Sequence, residues 1–407
     1  MTPSTPLNLL RNPLARTSST NIPDTTFAAP EAVQMVRRFH RTMPAYRATP
    51  LVALDRLAQA LGIGRLWVKD ESERFGLKAF KGLGASYAAC ATLAERFNMS
   101  PPLNFGDFTR PTIRRALSGL TLISASDGNH GAAVAWMARQ LGCRSRILLP
   151  RGTAACRVNA IQAFGGEAVV VDGNYDDAVR KAAREADARS GLLIQDTAWE
   201  GYEAIPRRIM QGYLTLFDEA FEQMGNSRPT HIFVPCGVGA LAAALQAYLI
   251  EKFSDRRPLL VVIEAAAADC YFRSMAAGGR SIVPVRGNLA TRMAGLACGE
   301  PTRPGWEILR RYTDAFVSCH DAVAEAGMQR LAFPLTPDPP IESGECGAVS
   351  MGCLCHLMQR AAGQHGQTRL GLGAESRILL FSTEGATDPA AYRQAIRQAP
   401  HDAQAEN

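Results

Sequence analysis

The chain is predicted to be an α/β protein with mostly parallel β-sheets and helices crossing over between the strands. From residue 51 onward, apolar segments of strand length alternate with amphipathic segments of helix length, the pattern of repeated β–α–β units. With 407 residues, 47% hydrophobic and 20% charged, the chain is long enough for two lobes with sizeable cores. No sequence repeat is evident, which argues against a solenoid.

Strands and helices are predicted from the spacing of apolar residues. The predicted strands, each a short apolar run bounded by turn residues, are 66–69, 120–124, 146–149, 168–171, 192–194, 231–234, 259–263, 315–317 and 378–381. The predicted helices, with apolar residues every three or four positions, are 85–97, 131–141, 154–164, 176–186, 205–223, 240–253, 322–331 and 348–361. This alternation favours a parallel sheet with crossover helices.

Charge and hydropathy argue against several kinds of partner. The net charge is +6 and basic residues are interspersed with acidic ones, so we expect no nucleic-acid partner. No apolar run has the length of a membrane helix and no signal peptide is evident, so we expect a cytoplasmic protein without membrane contact. Residues 1–30, rich in Thr, Ser, Pro and Asn, are interpreted as a surface arm, with a transit peptide as the alternative.

The ten cysteines are interpreted as reduced core residues. Their spacing contains no paired CxxC sets, so we expect no metal site. Cys270 and Cys298 follow a predicted strand end and a loop, where a labile disulfide is conceivable. Two reduced thiols remain the favoured interpretation.

A lysine motif is the first candidate site. In Ala79-Phe80-Lys81-Gly82, an amine stands beside an aromatic ring shortly before a predicted helix. A lysine amine holds pyridoxal phosphate as a Schiff base, so Lys81 is the candidate attachment point. Lys78 is the rival for this role, and a solvated lysine at a helix start is the structural alternative.

A polar turn and a glycine loop complete the candidate site. Residues 124–131, Ser-Ala-Ser-Asp-Gly-Asn-His-Gly, end an apolar run at the mouth of a helix, where they suit a ring oxygen and a substrate carboxylate. Residues 235–241, Pro-Cys-Gly-Val-Gly-Ala-Leu, link a strand to a helix and are predicted to bind phosphate. The same loop, with Glu264 after the next strand, also fits a loose dinucleotide fingerprint, so a nicotinamide oxidoreductase is the competing class.

A hydroxyl follows the last predicted strand. Thr383, in Phe381-Ser382-Thr383-Glu384-Gly385, is placed to meet a pyridine nitrogen. A hydroxyl partner leaves that nitrogen largely unprotonated, which favours β-elimination over transamination. The alternative is a turn residue that satisfies its own backbone.

Together these motifs resemble the tryptophan-synthase-β-like, fold type II family of pyridoxal phosphate enzymes. The resemblance covers about residues 39–389 and is closest to the family members that are diaminopropionate ammonia-lyases. The stretches that carry it are 75–81, 126–131, 195–203, 293–301 and 383–385, of which Gln-Asp-Thr-Ala-Trp-Glu-Gly-Tyr-Glu at 195–203 is the most specific.

The resemblance implies a two-lobed fold of mostly parallel, twisted sheets with helices on both faces, and a homodimer. It implies a large cofactor-binding domain from 1–88 and 203–407 and a small domain from 89–202. Lys81 would bear the cofactor and Phe80 would help position it. Asn129 would contact the ring oxygen and Thr383 the ring nitrogen. Gly237, Val238 and Gly239 would hold the phosphate.

Asp127 sets the expected substrate. Related serine and threonine dehydratases have serine at this position, and a carboxylate there favours a substrate with an additional ammonium group. The resemblance implies that Lys81 and Asp127 each take the α-proton from one face, so that D- and L-2,3-diaminopropionate both yield pyruvate and two ammonia. It also assigns Asp196 to the site, although Asp196 is equally suited to cap a helix that begins near residue 199.

Three alternatives remain from the sequence. They are a serine or threonine dehydratase with the same cofactor, a nicotinamide oxidoreductase built on the glycine loop, and a cofactor-binding protein without turnover. The small-molecule amino-acid substrate is the expected partner in the main interpretation.

Overall fold

Two separate β-sheets organise the protein in a computed structural model that describes residues 6–16, 23–359 and 364–397. The strands are β1 (Leu7–Arg11), β2 (Leu51–Ala53), β3 (Arg65–Asp70), β4 (Thr121–Ala125), β5 (Arg144–Leu149), β6 (Glu167–Val170), β7 (Leu192–Leu193), β8 (His231–Pro235), β9 (Leu259–Ala265), β10 (Ala315–Cys319) and β11 (Arg377–Ser382). The nine predicted strands all correspond to strands of these sheets, within two residues at either end.

The helices cover the sheets and connect their strands. They are α1 (Pro30–Arg41), α2 (Asp55–Ala60), α3 (Lys81–Arg96), α4 (Phe105–Phe108), α5 (Pro111–Leu117), α6 (Asn129–Leu141), α7 (Ala155–Ala163), α8 (Tyr175–Arg189), α9 (Ala204–Gln223), α10 (Ala240–Phe253), α11 (Cys270–Ala276), α12 (Arg303–Tyr312), α13 (Asp321–Ala332), α14 (Glu345–Met358), α15 (Gln364–Leu370) and α16 (Pro389–Arg397). None of the helices in the described part of the chain has the length and apolar character that a bilayer crossing needs.

The sheets are mostly parallel, as predicted. The larger has the order β1-β10-β9-β8-β11-β3-β2, and the smaller, β6-β5-β4-β7, is parallel throughout. The exceptions are the two edge strands of the larger sheet, β1 and β2, which pair antiparallel and were not predicted. Strand β1 belongs to the N-terminal segment interpreted as an arm, and it attaches that segment to β10; residues 1–5 and 17–22 lie outside the described residues.

The larger sheet is buried on both faces because helices cover both of its sides. Alternate residues of its central strands point to opposite sides and pack into two different cores. Leu66 and Val68 of β3 and Ile378 of β11 belong to the apolar core on the side of α13 and α14. Trp67 and Leu379, on the same two strands, belong to the core that contains residues of α9 and α10. The sheet is therefore a rigid central layer whose strand ends can hold side chains in fixed positions.

The strands of the two sheets come from different parts of the chain. All strands of the smaller sheet lie within residues 121–193, whereas those of the larger sheet lie within 7–70 and 231–382. Helix α3 crosses the predicted boundary at residue 88 and packs against both α9 and α6. The domain limits of 1–88 with 203–407, and 89–202, stay a prediction.

Three predicted helices differ from the structure by three or more residues at one end. Helix α8 ends at Arg189, three residues beyond the predicted end at 186. Helix α3 begins at Lys81, four residues before the predicted start at 85. The prediction started the helix too late because Gly82 and Gly84 have low helix propensity. Packing explains Gly84, since a Cβ at this position would lie 2.5 Å from Cε1 of Tyr213. Helix α14 begins at Glu345 instead of 348, and residues 360 and 361 of that prediction lie outside the described residues.

Candidate active site

The carboxyl ends of parallel strands from both sheets meet at one cavity. The segments after β4, β7, β8 and β11 reach it, as expected for a ligand site in an open α/β sheet. Counting the space at its open mouth, the cavity holds about 630 Å³. Its lining includes every residue predicted for the site: Phe80, Lys81, Asp127, Asn129, Asp196, Gly237, Val238, Gly239 and Thr383.

Lys81 forms an ion pair with Asp196 inside the cavity. The Nζ atom of Lys81 donates to Oδ2 of Asp196 at 2.7 Å, and the two side chains are 16% and 3% exposed. Burial is the largest single effect and lowers the pKa of Lys81, but the charge and hydrogen bond of Asp196, together with Tyr213 and Asp127, outweigh it and hold that pKa well above its usual value. The helix after Asp196 begins at Ala204, so the helix-capping interpretation of Asp196 is wrong.

Replacing Asp196 with asparagine should destabilise the cofactor-free protein by about 3–5 kcal/mol, because it leaves the Lys81 ammonium buried without its partner. Denaturant titration measures the change in the free energy of unfolding. Asp187→Asn, which alters an exposed aspartate on α8, is the matched control and should stay within about 0.5 kcal/mol of the parent. A loss of unfolding free energy no larger than that of the control would show that the Lys81–Asp196 ion pair does not stabilise the protein.

Tyr175 and Gln195 hold Asp196 in place. The hydroxyl of Tyr175 donates to Oδ1 of Asp196 at 3.0 Å, and Nε2 of Gln195 donates to that hydroxyl at 2.9 Å. Oε1 of Gln195 accepts the backbone N–H of Ala125 at 2.8 Å, which connects the group to the end of β4. Tyr175 lines the cavity and was not predicted, because nothing in the local sequence distinguishes it from an ordinary residue at a helix start.

Asp127 lines the cavity and has a buried carboxylate oxygen. Its Oδ2 atom has no hydrogen-bond partner among the described residues, and the nearest cation, Nη1 of Arg157, is 3.8 Å away. Burial raises the pKa of Asp127, while Arg157 and Lys81 oppose the rise. A buried carboxylate oxygen without a hydrogen bond is costly, which points to a group that meets ligand or substrate.

Asn129 and Glu384 form a second polar pair in the cavity lining. The Nδ2 atom of Asn129 donates to Oε2 of Glu384, whose Oε1 accepts the N–H of Cys346 at 3.1 Å. Sequence reasoning did not assign Glu384 or Cys346 to the site, although Glu384 directly follows the predicted Thr383. The chain order gives no indication that α14 brings Cys346 to this cavity.

The glycine loop has the geometry of a phosphate cradle. It connects β8 to α10 and directs the backbone toward the cavity at a helix N-terminus, where N–H groups lack partners within the helix. Gly239 has φ of +97°, and a Cβ there would lie 1.9 Å from Oη of Tyr271. A Cβ at Gly237 would lie 2.8 Å from the carbonyl oxygen of Gly295, so both positions require glycine.

Replacing Gly239 with alanine should lower cofactor affinity about tenfold or more, because Tyr271 must move and the backbone is strained. Equilibrium titration of the cofactor-free protein measures the affinity. Gly62→Ala is the matched control, since Gly62 also has a positive φ (+66°) but open space around the Cβ position. Equal affinities for the two variants would show that the close approach to Tyr271 does not shape the loop.

The dinucleotide interpretation requires a carboxylate at Glu264 that is free to bind a ribose, and in the structure this carboxylate is already bound to backbone N–H groups. Glu264 is fully buried, and its two carboxylate oxygens accept the backbone N–H groups of Tyr271 and Phe272 at 2.8 and 2.7 Å. Burial raises its pKa to about 8. This carboxylate organises the start of α11 and is not presented to a ribose.

Thr383 lies at the end of β11 in the cavity lining, and its carbonyl accepts the N–H of Phe80 at 3.2 Å. This bond fixes the Lys81 segment against the larger sheet. Lys78 does not line the cavity: its side chain is 48% exposed, with Nζ 3.7 Å from Glu342. Cys270 and Cys298 are free thiols, as the favoured interpretation expected.

A lysine amine, a glycine cradle and a strand-end hydroxyl in one cavity fit pyridoxal phosphate, and comparison with known proteins agrees. The profile of the family described as "Pyridoxal-phosphate dependent enzyme" matches residues 42–354. The chain belongs to this family of pyridoxal phosphate enzymes, and its fold is that of fold type II.

Its similarity to particular members is more specific. The chain is 44% identical to the diaminopropionate ammonia-lyase of Escherichia coli K12, with 90% of this chain and 92% of that protein covered. It is 42% identical to the diaminopropionate ammonia-lyase of Salmonella typhimurium LT2, with 89% and 91% covered. A crystal structure of the E. coli enzyme with an aminoacrylate–PLP azomethine reaction intermediate superposes with a TM-score of 0.87 at 40% identity, covering 97% of each chain.

Proposed function

We propose that this protein is a diaminopropionate ammonia-lyase that converts D- and L-2,3-diaminopropionate and water to pyruvate and two ammonia. The observation that carries the proposal is the buried carboxylate oxygen of Asp127, which has no hydrogen-bond partner among the described residues and lies in the same cavity as the Lys81 amine. Two different proton-accepting groups in one site are what the elimination of both enantiomers requires.

The residues present fit pyridoxal phosphate. Lys81 is assigned as its covalent attachment point and Phe80 as a packing residue beside that lysine. The segment of Gly237, Val238 and Gly239 is assigned to the phosphate, Asn129 to the ring oxygen, and Thr383 to the ring nitrogen. When bound, the cofactor supplies an electron sink that stabilises negative charge at the substrate α-carbon.

Lys81 and Asp127 are assigned to proton transfer at the substrate α-carbon. The Lys81 amine, neutral once the substrate has displaced it from the cofactor, is assigned the α-proton of the L-enantiomer, and Asp127 is assigned that of the D-enantiomer. Asp196 pairs with Lys81 at 2.7 Å and fixes the position of its amine. Because an amide anion does not leave, the β-amine departs as ammonia only after protonation. The enamine product is released, tautomerises to an imine, and is hydrolysed by water to pyruvate and the second ammonia.

The charge around the cavity supports a diamine substrate. Asp127, Asp196 and Glu384 all line the cavity, and the cation among the lining side chains is Lys81. Such surroundings favour a substrate with an additional ammonium group over a neutral hydroxy amino acid. This argues for the lyase over a serine or threonine dehydratase.

The ratio of ammonia to pyruvate tests the reaction. We expect two ammonia per pyruvate with D- and with L-diaminopropionate, and slower keto-acid formation from L-serine and L-threonine. Faster turnover of L-threonine would identify a dehydratase instead. Cofactor binding without turnover of any of these substrates would also refute the proposal.

We also propose a homodimer located in the cytoplasm. The dimer is supported by the family resemblance, and the location by ten cysteines that are all free thiols, as suits a reducing compartment. Light scattering on the purified holoenzyme should give twice the chain mass of 43.9 kDa. A mass of one chain would contradict the dimer.

A further inference from the structure

Arg157 lies beside the Asp127 turn, although no motif assigned it to the site. It comes from α7 of the smaller-sheet region, and its side chain is only 8% exposed. Its Nη1 atom donates to the backbone carbonyl of Asp127 at 3.1 Å and is 3.8 Å from Oδ2 of the same residue. The guanidinium thus contacts both the backbone and the charge of this one residue.

The turn is shaped to accept the arginine stem. Gly128 has φ of +148°, and a Cβ there would lie 2.9 Å from Cδ and 3.1 Å from Cγ of Arg157. The missing side chain lets the aliphatic part of Arg157 lie along the turn. This close fit fixes where the guanidinium sits relative to the carboxylate.

The other charges near Asp127 leave Arg157 as its main cation. The titratable groups that act on Asp127 or are acted on by it are Arg157, Lys81, His130, Asp196, Glu384, Tyr175, Cys298 and Cys346. Burial lowers the pKa of His130, which favours its neutral form, so this histidine does not compete with Arg157 as a cation. Lys81 is already paired with Asp196 at 2.7 Å. Burial raises the pKa of Asp127, and among the opposing influences that of Arg157 is the largest.

We propose that Arg157 is a positioning residue that keeps the Asp127 carboxylate ionised and oriented as the base for the D-enantiomer. This inference rests on the proposed function. It predicts an effect on one enantiomer, because L-diaminopropionate uses Lys81. Loss of the guanidinium removes the cation that opposes protonation of Asp127, so the carboxylate becomes active only at higher pH.

Arg157→Gln tests the inference through two measurements. In holoenzyme labelled with ¹³C at the aspartate Cγ, with Asp127→Asn assigning the resonance, the titration midpoint of Asp127 should rise by about one pH unit. The acidic limb of kcat/KM for D-diaminopropionate should move upward by the same amount, so that activity below that limb falls about tenfold. The limb for the L-enantiomer should stay in place. Arg157→Lys, which keeps the charge, should restore most of both shifts.

Arg146→Gln is the matched control. Arg146 is also a largely buried arginine of the smaller-sheet region, but it pairs with Glu167 and Glu185 away from the cavity. An unchanged Asp127 midpoint in Arg157→Gln, or equal shifts for both enantiomers, would overturn the inference. If Arg157→Gln does not fold, Arg157→Lys serves as the test. Because lysine keeps the positive charge, an Asp127 titration midpoint raised by a full pH unit in this variant would overturn the inference. Parent enzyme inactive on both enantiomers would instead refute the proposed function, while the titration would still report on the Arg157–Asp127 interaction.

Discussion

Replacing Lys81 with alanine is expected to abolish the elimination reaction, lowering kcat by about 10³-fold or more, and to remove the visible absorbance of the lysine-bound cofactor. Lys81 is the lysine that the described residues present to the cavity, and Asp196 holds its amine in place. Without that amine, the cofactor has no covalent attachment and one of the two proton acceptors is lost. Absorbance spectra and pyruvate formation from both enantiomers measure the two effects.

Lys78→Ala is the matched control for this prediction. Lys78 is three residues away, but its side chain is half exposed and directed toward Glu342. We expect turnover within about threefold of the parent, as for other surface substitutions. Borohydride reduction of the parent holoenzyme followed by peptide mapping should place the cofactor label on Lys81. A label on Lys78, or on neither lysine, would contradict the assignment.

Much of the fold was predictable because buried parallel strands produce apolar runs that stand out locally. Strand β11, for example, is a continuous apolar segment ending in Ser382, and the structure places it between β8 and β3. Strand order is not a local property, and no pattern in the sequence indicates that β11 separates β8 from β3. Strand β2 was missed because its three residues, Leu51–Ala53, are too few to give a pattern.

The candidate site was predictable where a motif carries the chemistry. Lys81, the Asp127 turn and the glycine loop each stand in a short, distinctive stretch, and all of them meet in the cavity. Tyr175 and Arg157 were missed because their importance comes from contacts over long distances in the chain. Tyr175 meets Asp196, and Arg157 meets Asp127 only after α7 packs beside α6.

Replacing Asp127 with asparagine is expected to lower kcat for D-diaminopropionate by about 10²–10⁴-fold, the range for loss of a general base. The amide is close in size to the carboxylate but does not act as a base near neutral pH. The cavity therefore keeps its shape while one proton acceptor is lost. The L-enantiomer should lose less than about tenfold, because Lys81 remains. Steady-state kinetics with each enantiomer measure the ratio.

Asp127→Ser and Asp187→Asn make this comparison discriminating. Serine also lacks a proton-accepting carboxylate, so Asp127→Ser should lose D-specific activity as Asp127→Asn does. Asp187 is an exposed aspartate on α8, and its substitution should leave both enantiomers unaffected. Equal losses for D- and L-substrate in Asp127→Asn would mean that Asp127 binds the common ammonium group and does not act as the base for one face. A purely ammonium-binding role would appear as a higher KM for both enantiomers, whereas a base role lowers kcat for one.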